Sequence, residues 1–132
     1  MDQAKLLKEA KKARMNAYAP YSGFTVGAAL VTKDGKIFRG CNIESSVMAP
    51  SLCAERVALA KALSEGEKEF AAIAIVGAPA GEETKDPCYP CGVCRQVLSE
   101  HVKTDTFEVI VEEDGKAEVA SLSDLLPKAF VL

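Results

Sequence analysis

Residues Ala71 to Val76 form an uncharged apolar run, with Lys68-Glu69 before it and Gly, Pro and Glu82 after it. The run is too short for a buried helix and lacks the alternation of a half-exposed strand. It predicts a central strand buried on both faces, and such a strand needs a sheet with cover above and below. The rest of the chain supplies both. Leu6, Leu7, Ala10, Ala13 and Ala17 fall on one stripe of a first helix with charges opposite. Phe24–Thr32 and Lys36–Ile43 read as strands around Lys33-Asp34-Gly35, a strong hairpin signal. Pro50 favours a helix start just beyond it, and Leu52–Ser64 reads as that helix, stopped by Gly66. Cys91–His101 reads as a third helix with Pro90 at its mouth, and Phe107–Glu112 as a strand. Asp114-Gly115 then turns the chain into a short strand at Glu118–Ala120. Ser121 or Ser123 caps a last helix through Leu126, ended by Pro127. The order α-β-β-α-β-α-β-β-α predicts an α/β domain, a mixed sheet with helices on its faces.

The 132 residues are expected to form one domain, 1–132. With 48% hydrophobic and 27% charged residues the chain is not a disordered tail or a fibre. A formal charge of −3 disfavours a partner held by its phosphates and favours a small, weakly charged one. No run approaches the ~20 apolar residues of a membrane helix. The lysine-rich start mimics a transit peptide in composition, but its apolar stripe argues for a surface helix and no signal core is present. A cytoplasmic protein with no membrane contact is therefore expected, with its five cysteines reduced.

Those cysteines carry the chemistry. Cys91 and Cys94, in Pro90-Cys91-Gly92-Val93-Cys94, lie one turn apart on one helical face, and Cys53 opens the preceding helix. Helix N-termini favour thiolates. Two such ends facing each other would make a site for a soft divalent cation, with Zn2+ the leading candidate because it accepts three sulfurs in a tetrahedron. Cys41 sits in a strand pattern and reads as a buried apolar residue. Cys88 leaves a choice open: as a fourth ligand it would close a structural zinc site, whereas the stiff Tyr89-Pro90 approach points it away. An iron–sulfur reading lacks its further cysteine and proline. Glu55 is the other clue. In the first turn of a helix it could simply complement the dipole, but beside three cysteines it suggests a proton carrier at a catalytic metal. Residues two apart share no helical face, so Cys53 and Glu55 can converge only at the helix mouth.

Cys53-Ala54-Glu55 with Pro90-Cys91-x-x-Cys94 is similar to the signature of zinc-dependent nucleobase deaminases, with Cys in the first ligand position. From AYAPYSGFTVGAAL through GCNIES, CAERVAL and PCGVCRQVL to LLPKAF, nearly end to end, the chain resembles the small cytidine deaminases of nucleoside salvage. That resemblance implies a three-layer α/β/α fold with one mixed five-stranded sheet. It implies zinc on Cys53, Cys91 and Cys94, with Glu55 as the proton shuttle for deamination of cytidine and deoxycytidine. It further implies Asn42 and Glu44 as contacts to the ribose hydroxyls and Phe24 as a ring packed on the nucleoside. The backbone at Ala54 and the carbonyl of Pro90 would address the base and its amine. Apart from the resemblance, three thiolates would leave a divalent ion formally at −1, and Arg56, next to Glu55, is expected to offset that charge by hydrogen-bonding the sulfurs. Relatives of this length form homotetramers that lend groups to neighbouring sites, a role Phe130 matches. Two departures stand out: Met48 falls in a stretch where many relatives carry a tyrosine, and Cys88 falls where no ligand is expected.

Three competing readings follow from the same residues. A deaminase editing bases within nucleic acid would need a phosphate-tracking surface. A deaminase of a cytidine-like antibiotic would share all the chemistry. A zinc module holding helices together would need four protein ligands and have no use for Glu55.

Overall fold

The computed structural model describes residues 2–132. Its elements are α1 (Gln3–Arg14), β1 (Phe24–Thr32), β2 (Ile37–Cys41), α2 (Ala54–Ser64), β3 (Phe70–Pro79), α3 (Gly92–Ser99), β4 (Glu108–Glu113), β5 (Lys116–Ser121) and α4 (Leu122–Leu125). The sheet runs in the order β2-β1-β3-β4-β5. Only β3 and β4 are parallel, and α3 is the crossover between them. All other neighbours are antiparallel, so the sheet is mixed and five-stranded, as expected.

The apolar run lands on β3, which is buried along almost its full length. Its residues alternate between two cores. Ile73 and Ile75 meet Ala58 and Leu59 of α2, Leu98 of α3, and Val109 and Val111 of β4. Ala72, Ala74 and Val76 meet Leu6, Leu7 and Ala10 of α1 on the opposite face. Three layers result, with α1 alone on one side. β3 runs three residues past the predicted end because Gly77, Ala78 and Pro79 still pair with Val26, Thr25 and Phe24.

Other boundaries moved for local reasons. α1 stops at Arg14 and leaves Ala17 in the following turn. There the Tyr18 N–H donates to the Asn42 carbonyl instead of continuing the helix. β2 ends at Cys41, not Ile43, since Ile43 forms isolated bridges to Tyr18 and Leu52. The bridge also keeps Leu52 out of α2, which starts two residues later than predicted. α3 ends at Ser99 because the N–H groups of Glu100 and His101 turn to carbonyls only three residues back. β5 is a full six-residue strand after a tight turn in which Asp114 and Gly115 both have positive φ (49° and 81°).

The strand directions decide where a site can lie. β2 and β3 both pair with β1 in antiparallel fashion, with Cys41 and Val76 opposite the same residue, Gly27. Their carboxyl ends therefore leave the sheet at one edge, and the chain from each leads into the N-terminus of the next helix. α2 lies directly on β2 at Gly40, where an added Cβ would fall 2.3 Å from the Ala54 carbonyl oxygen and 2.5 Å from the Ala58 nitrogen.

Candidate metal centre and active site

Each of the two helix mouths has a cysteine at its N-cap. Cys53 (φ −77°, ψ 150°) caps α2 and Cys91 (φ −67°, ψ 170°) caps α3, and neither side chain bonds to its own helix backbone. Serine or aspartate there would turn inward to the first-turn amides. Thiols are poor acceptors, so both sulfurs stay free to point outward. Cys94 completes the group from the first turn of α3, buried where Cys91 is exposed. The three sulfurs lie within 4.8 Å of one another, and Cys88 does not belong to the cluster.

The donor set suits a soft ion. Cys53 accepts from the Cys94 thiol and from Arg56, which together pull its titration down to about 5. Cys94, donating in that bond and screened from water, is pushed strongly upward. Arg56 reaches the cluster from α2: its Nη2 donates to Cys53 Sγ at 3.6 Å and to the Ser51 carbonyl at 3.2 Å. Its Nε is buried and has no partner among the described residues. A guanidinium turned onto sulfur, with donor capacity to spare, fits a cluster that carries three thiolates.

Glu55 occupies the first turn of α2 and is 4% exposed. Burial raises its carboxyl above the usual range, and the Cys53 charge adds to that effect. A carboxyl raised in this way keeps a proton more readily than an exposed glutamate does, which suits a proton carrier. Glu55 lines a cavity of about 250 Å3 together with Val26, Asn42, Glu44, Cys53, Ala54 and Cys91. Cys88 and Tyr89 form another part of the wall. A larger cleft of about 450 Å3 at the open edge of β2 has Cys41 as its sole thiol and none of this chemistry.

The fold thus brings together Cys53, Cys91, Cys94, Glu55, Ala54, Asn42, Glu44 and Arg56. Asn42 and Glu44 are also employed in holding the entry loop. Asn42 Oδ1 accepts from the Val26 N–H and its Nδ2 donates to the Phe24 carbonyl, both at 2.9 Å. Glu44 accepts from the N–H groups of Tyr21 and Ser22 at 3.0 and 3.1 Å and from the Ser22 hydroxyl. The Pro90 carbonyl accepts from Arg95 Nε at 2.6 Å. Phe24 lies outside the cavity wall, its ring laid with the Cys88 sulfur over Gly77, where a Cβ would strike both. Phe130, 68% exposed, sits on the C-terminal tail and does not line this chain's own cavity. Cys88 is a pocket-wall thiol pushed up to about 11 by burial and by the charges of Glu55 and Cys53. Cys41 is half-buried at the end of an edge strand, more open than the sequence pattern predicts.

The model for the cytidine and deoxycytidylate deaminase zinc-binding region matches residues 1–111. The chain belongs to this deaminase family. A cytidine deaminase from Halalkalibacterium halodurans is 48% identical over 130 residues, covering 98% of this chain and 95% of that protein. The crystal structure of a cytidine deaminase from Burkholderia pseudomallei superposes with a TM-score of 0.88 at 51% identity, covering 98% of this chain and 100% of that one. A blasticidin-S deaminase from Bacillus cereus is 35% identical over 105 residues, covering 77% of this chain and 74% of that protein. Membership makes this chain a deaminase, a hydrolase of a zinc-binding family, with three cysteines placed to bind the ion.

Sequence reasoning missed Arg14 and Arg95. Arg14 Nη2 donates to the carbonyls of Ala78, Pro79 and Glu82 (2.7 Å for the last) and its Nε to Thr25, which fastens α1 to β1 and to the end of β3. An arginine that satisfies scattered carbonyls has no periodic or motif signal in the sequence.

Proposed function

We propose that this chain hydrolyses cytidine and deoxycytidine to uridine and deoxyuridine, with release of ammonia. One observation carries the proposal: the buried carboxyl of Glu55 lines a small cavity beside Cys53 and Cys91, two of the three thiols that converge at the two helix mouths. Cys53, Cys91 and Cys94 would hold zinc, which when bound lowers the pKa of water from ~15.7 toward ~7. Glu55 accepts a proton from the attacking water and delivers it to N3, which makes C4 electrophilic. The hydroxide left from that water adds to C4, Glu55 carries the proton of the new C4 hydroxyl to the exocyclic amine, and the C4–N bond breaks to release ammonia and leave the C4 carbonyl.

The remaining residues bind and orient. Three thiolates leave the ion formally at −1, and Arg56 offsets part of that charge through its bond to Cys53. The positive ends of α2 and α3 add to the offset. The Ala54 amide, at the first position of α2, has no partner within its own helix and is free to meet the base. Asn42 keeps one amide hydrogen for a ribose hydroxyl and Glu44 keeps acceptor capacity for another. The Pro90 carbonyl has a second lone pair for the departing amine. Exposed Val47, Met48, Val93 and Phe130 suit a homotetramer in which Phe130 of one copy approaches the nucleoside in a neighbour, beside Phe24.

The reading places the single domain, 1–132, in the cytoplasm, in pyrimidine salvage. The net charge of −3 and the modest cavity favour a free nucleoside over nucleic acid. The 35% identity to a blasticidin-S deaminase favours one second reading, a cytidine-like antibiotic as substrate. Loss of ultraviolet absorbance from cytidine, deoxycytidine and blasticidin S, each mixed with zinc-loaded protein, separates the two. Turnover of the nucleosides is expected, and turnover of blasticidin S alone would overturn the nucleoside assignment. Glu55→Gln is expected to lose at least ~10²–10⁴-fold in rate with zinc still bound. Near-normal turnover would remove Glu55 from the mechanism.

A further inference from the structure

The two ligand-bearing turns are built alike in a way the motif does not reveal. From α2, Arg56 reaches back to the carbonyl of Ser51, two residues before the ligand Cys53. From α3, Arg95 reaches back to the carbonyl of Pro90, immediately before the ligand Cys91. Each arginine spans five residues and pins the peptide that leads into a helix mouth. The second pin is the tighter, at 2.6 Å, and it has another end: Arg95 Nη1 donates to the Leu125 carbonyl at 2.7 Å, in α4.

The α3 mouth needs such a pin. Cys91 gives its helix no side-chain cap, Gly92 follows it with open space around its Cα, and α3 has only eight residues. Cys91 itself is exposed, so packing does not fix it. Pro90 is buried, and a buried carbonyl requires a donor. Arg95 is that donor, and its planar fork holds two carbonyls at fixed separation, which a lysine cannot do.

We propose that Arg95 is a positioning residue for the metal centre. It holds the Pro90–Cys91 peptide, and with it the Cys91 sulfur, in register with Cys53 and Cys94. Through Leu125 it makes the ligand turn depend on the C-terminal turn, and the neighbouring Gln96 donates to the Phe130 carbonyl at 3.2 Å and ties down the tail beyond. The inference rests on the zinc-dependent reading above, but its test does not require a nucleoside substrate.

Zinc release to a chromophoric chelator is followed for the wild-type protein, Arg95→Lys and Arg95→Met, with far-ultraviolet circular dichroism as the check on folding. Arg39→Met, which removes a surface pair with Glu9, is the control. Loss of partners around metal ligands typically weakens metal binding 10–100-fold. Arg95→Met is expected in that range, with Arg95→Lys between it and wild type and the control unchanged. With cytidine, kcat is expected to fall more than KM changes. If Arg95→Met does not fold, the intermediate loss in Arg95→Lys still supports the proposal. Wild-type zinc release from either folded variant overturns it, whatever the protein does to cytidine. Failure of the wild-type protein to deaminate cytidine while it holds zinc would overturn the function and leave the role of Arg95 standing.

Discussion

Gly40→Ala is the sharpest probe of how the fold sets the site. The new methyl carbon would lie 2.3 Å from the Ala54 carbonyl oxygen and 2.5 Å from the Ala58 nitrogen, and both are backbone atoms that no rotamer change can move. Ordinary van der Waals contact begins near 3.4 Å, so the first two turns of α2 must retreat from β2 by about 1 Å. Overpacking of this kind costs about 1–3 kcal/mol, which in a chain of this size lowers the melting temperature by several degrees. The functional effect is larger. Cys53, Ala54 and Glu55 ride on the displaced turn while Cys91 and Cys94 stay with α3, and a misplacement of ~1 Å can cost ~10²-fold in rate. Thermal melts, zinc content and kcat/KM on cytidine measure the three consequences together. A Gly40→Ala protein that melts as wild type does, with kcat/KM within about threefold, would refute the claim that this contact positions the metal centre.

Arg56→Ala should weaken zinc retention or raise the pH at which the rate reaches its plateau, since a charge bonded to Cys53 is lost; if both are unchanged, the charge-offset argument is wrong. Cys88→Ala should keep one zinc per chain and most of the activity, because Cys88 stands outside the sulfur cluster; loss of the metal would make it a ligand. Glu44 is held below its ordinary value of 4.5 by the Ser22 hydroxyl, and further by the N–H groups of Ser22 and Tyr21. A depressed carboxylate contributes stability above its unfolded pKa and loses it as pH falls through the folded one. Melts taken from neutral to acid should therefore fall less steeply below about pH 4.5 for Glu44→Gln than for wild type, and equal slopes would remove Glu44 from the acid response.

How much was legible depended on whether a signal was local. The run Ala71–Val76 announced a central strand because period and charge are properties of consecutive residues. Cys53, Glu55, Cys91 and Cys94 were legible as a group because helix mouths follow from Pro50, Pro90 and the apolar stripes. Boundaries set across the chain were not. β2 ends early because Ile43 bridges Tyr18 and Leu52, partners that lie on either side of it in the chain and outside the strand pattern. Ala17 fits the α1 stripe, but the neighbouring Tyr18 bonds to Asn42 and the helix has already ended. The double duty of Asn42 and Glu44, which pin the entry loop while they line the cavity, also needed coordinates. So did Arg95, whose two carbonyl partners lie 5 and 30 residues away.

X-ray absorption at the zinc edge of the purified protein tests the central claim most directly. One zinc per chain is expected, with three sulfurs at about 2.3 Å and one lighter atom at about 2.0 Å, and the same shell in Cys88→Ala. Four sulfurs around the ion, or full cytidine turnover by protein stripped of metal, would contradict it.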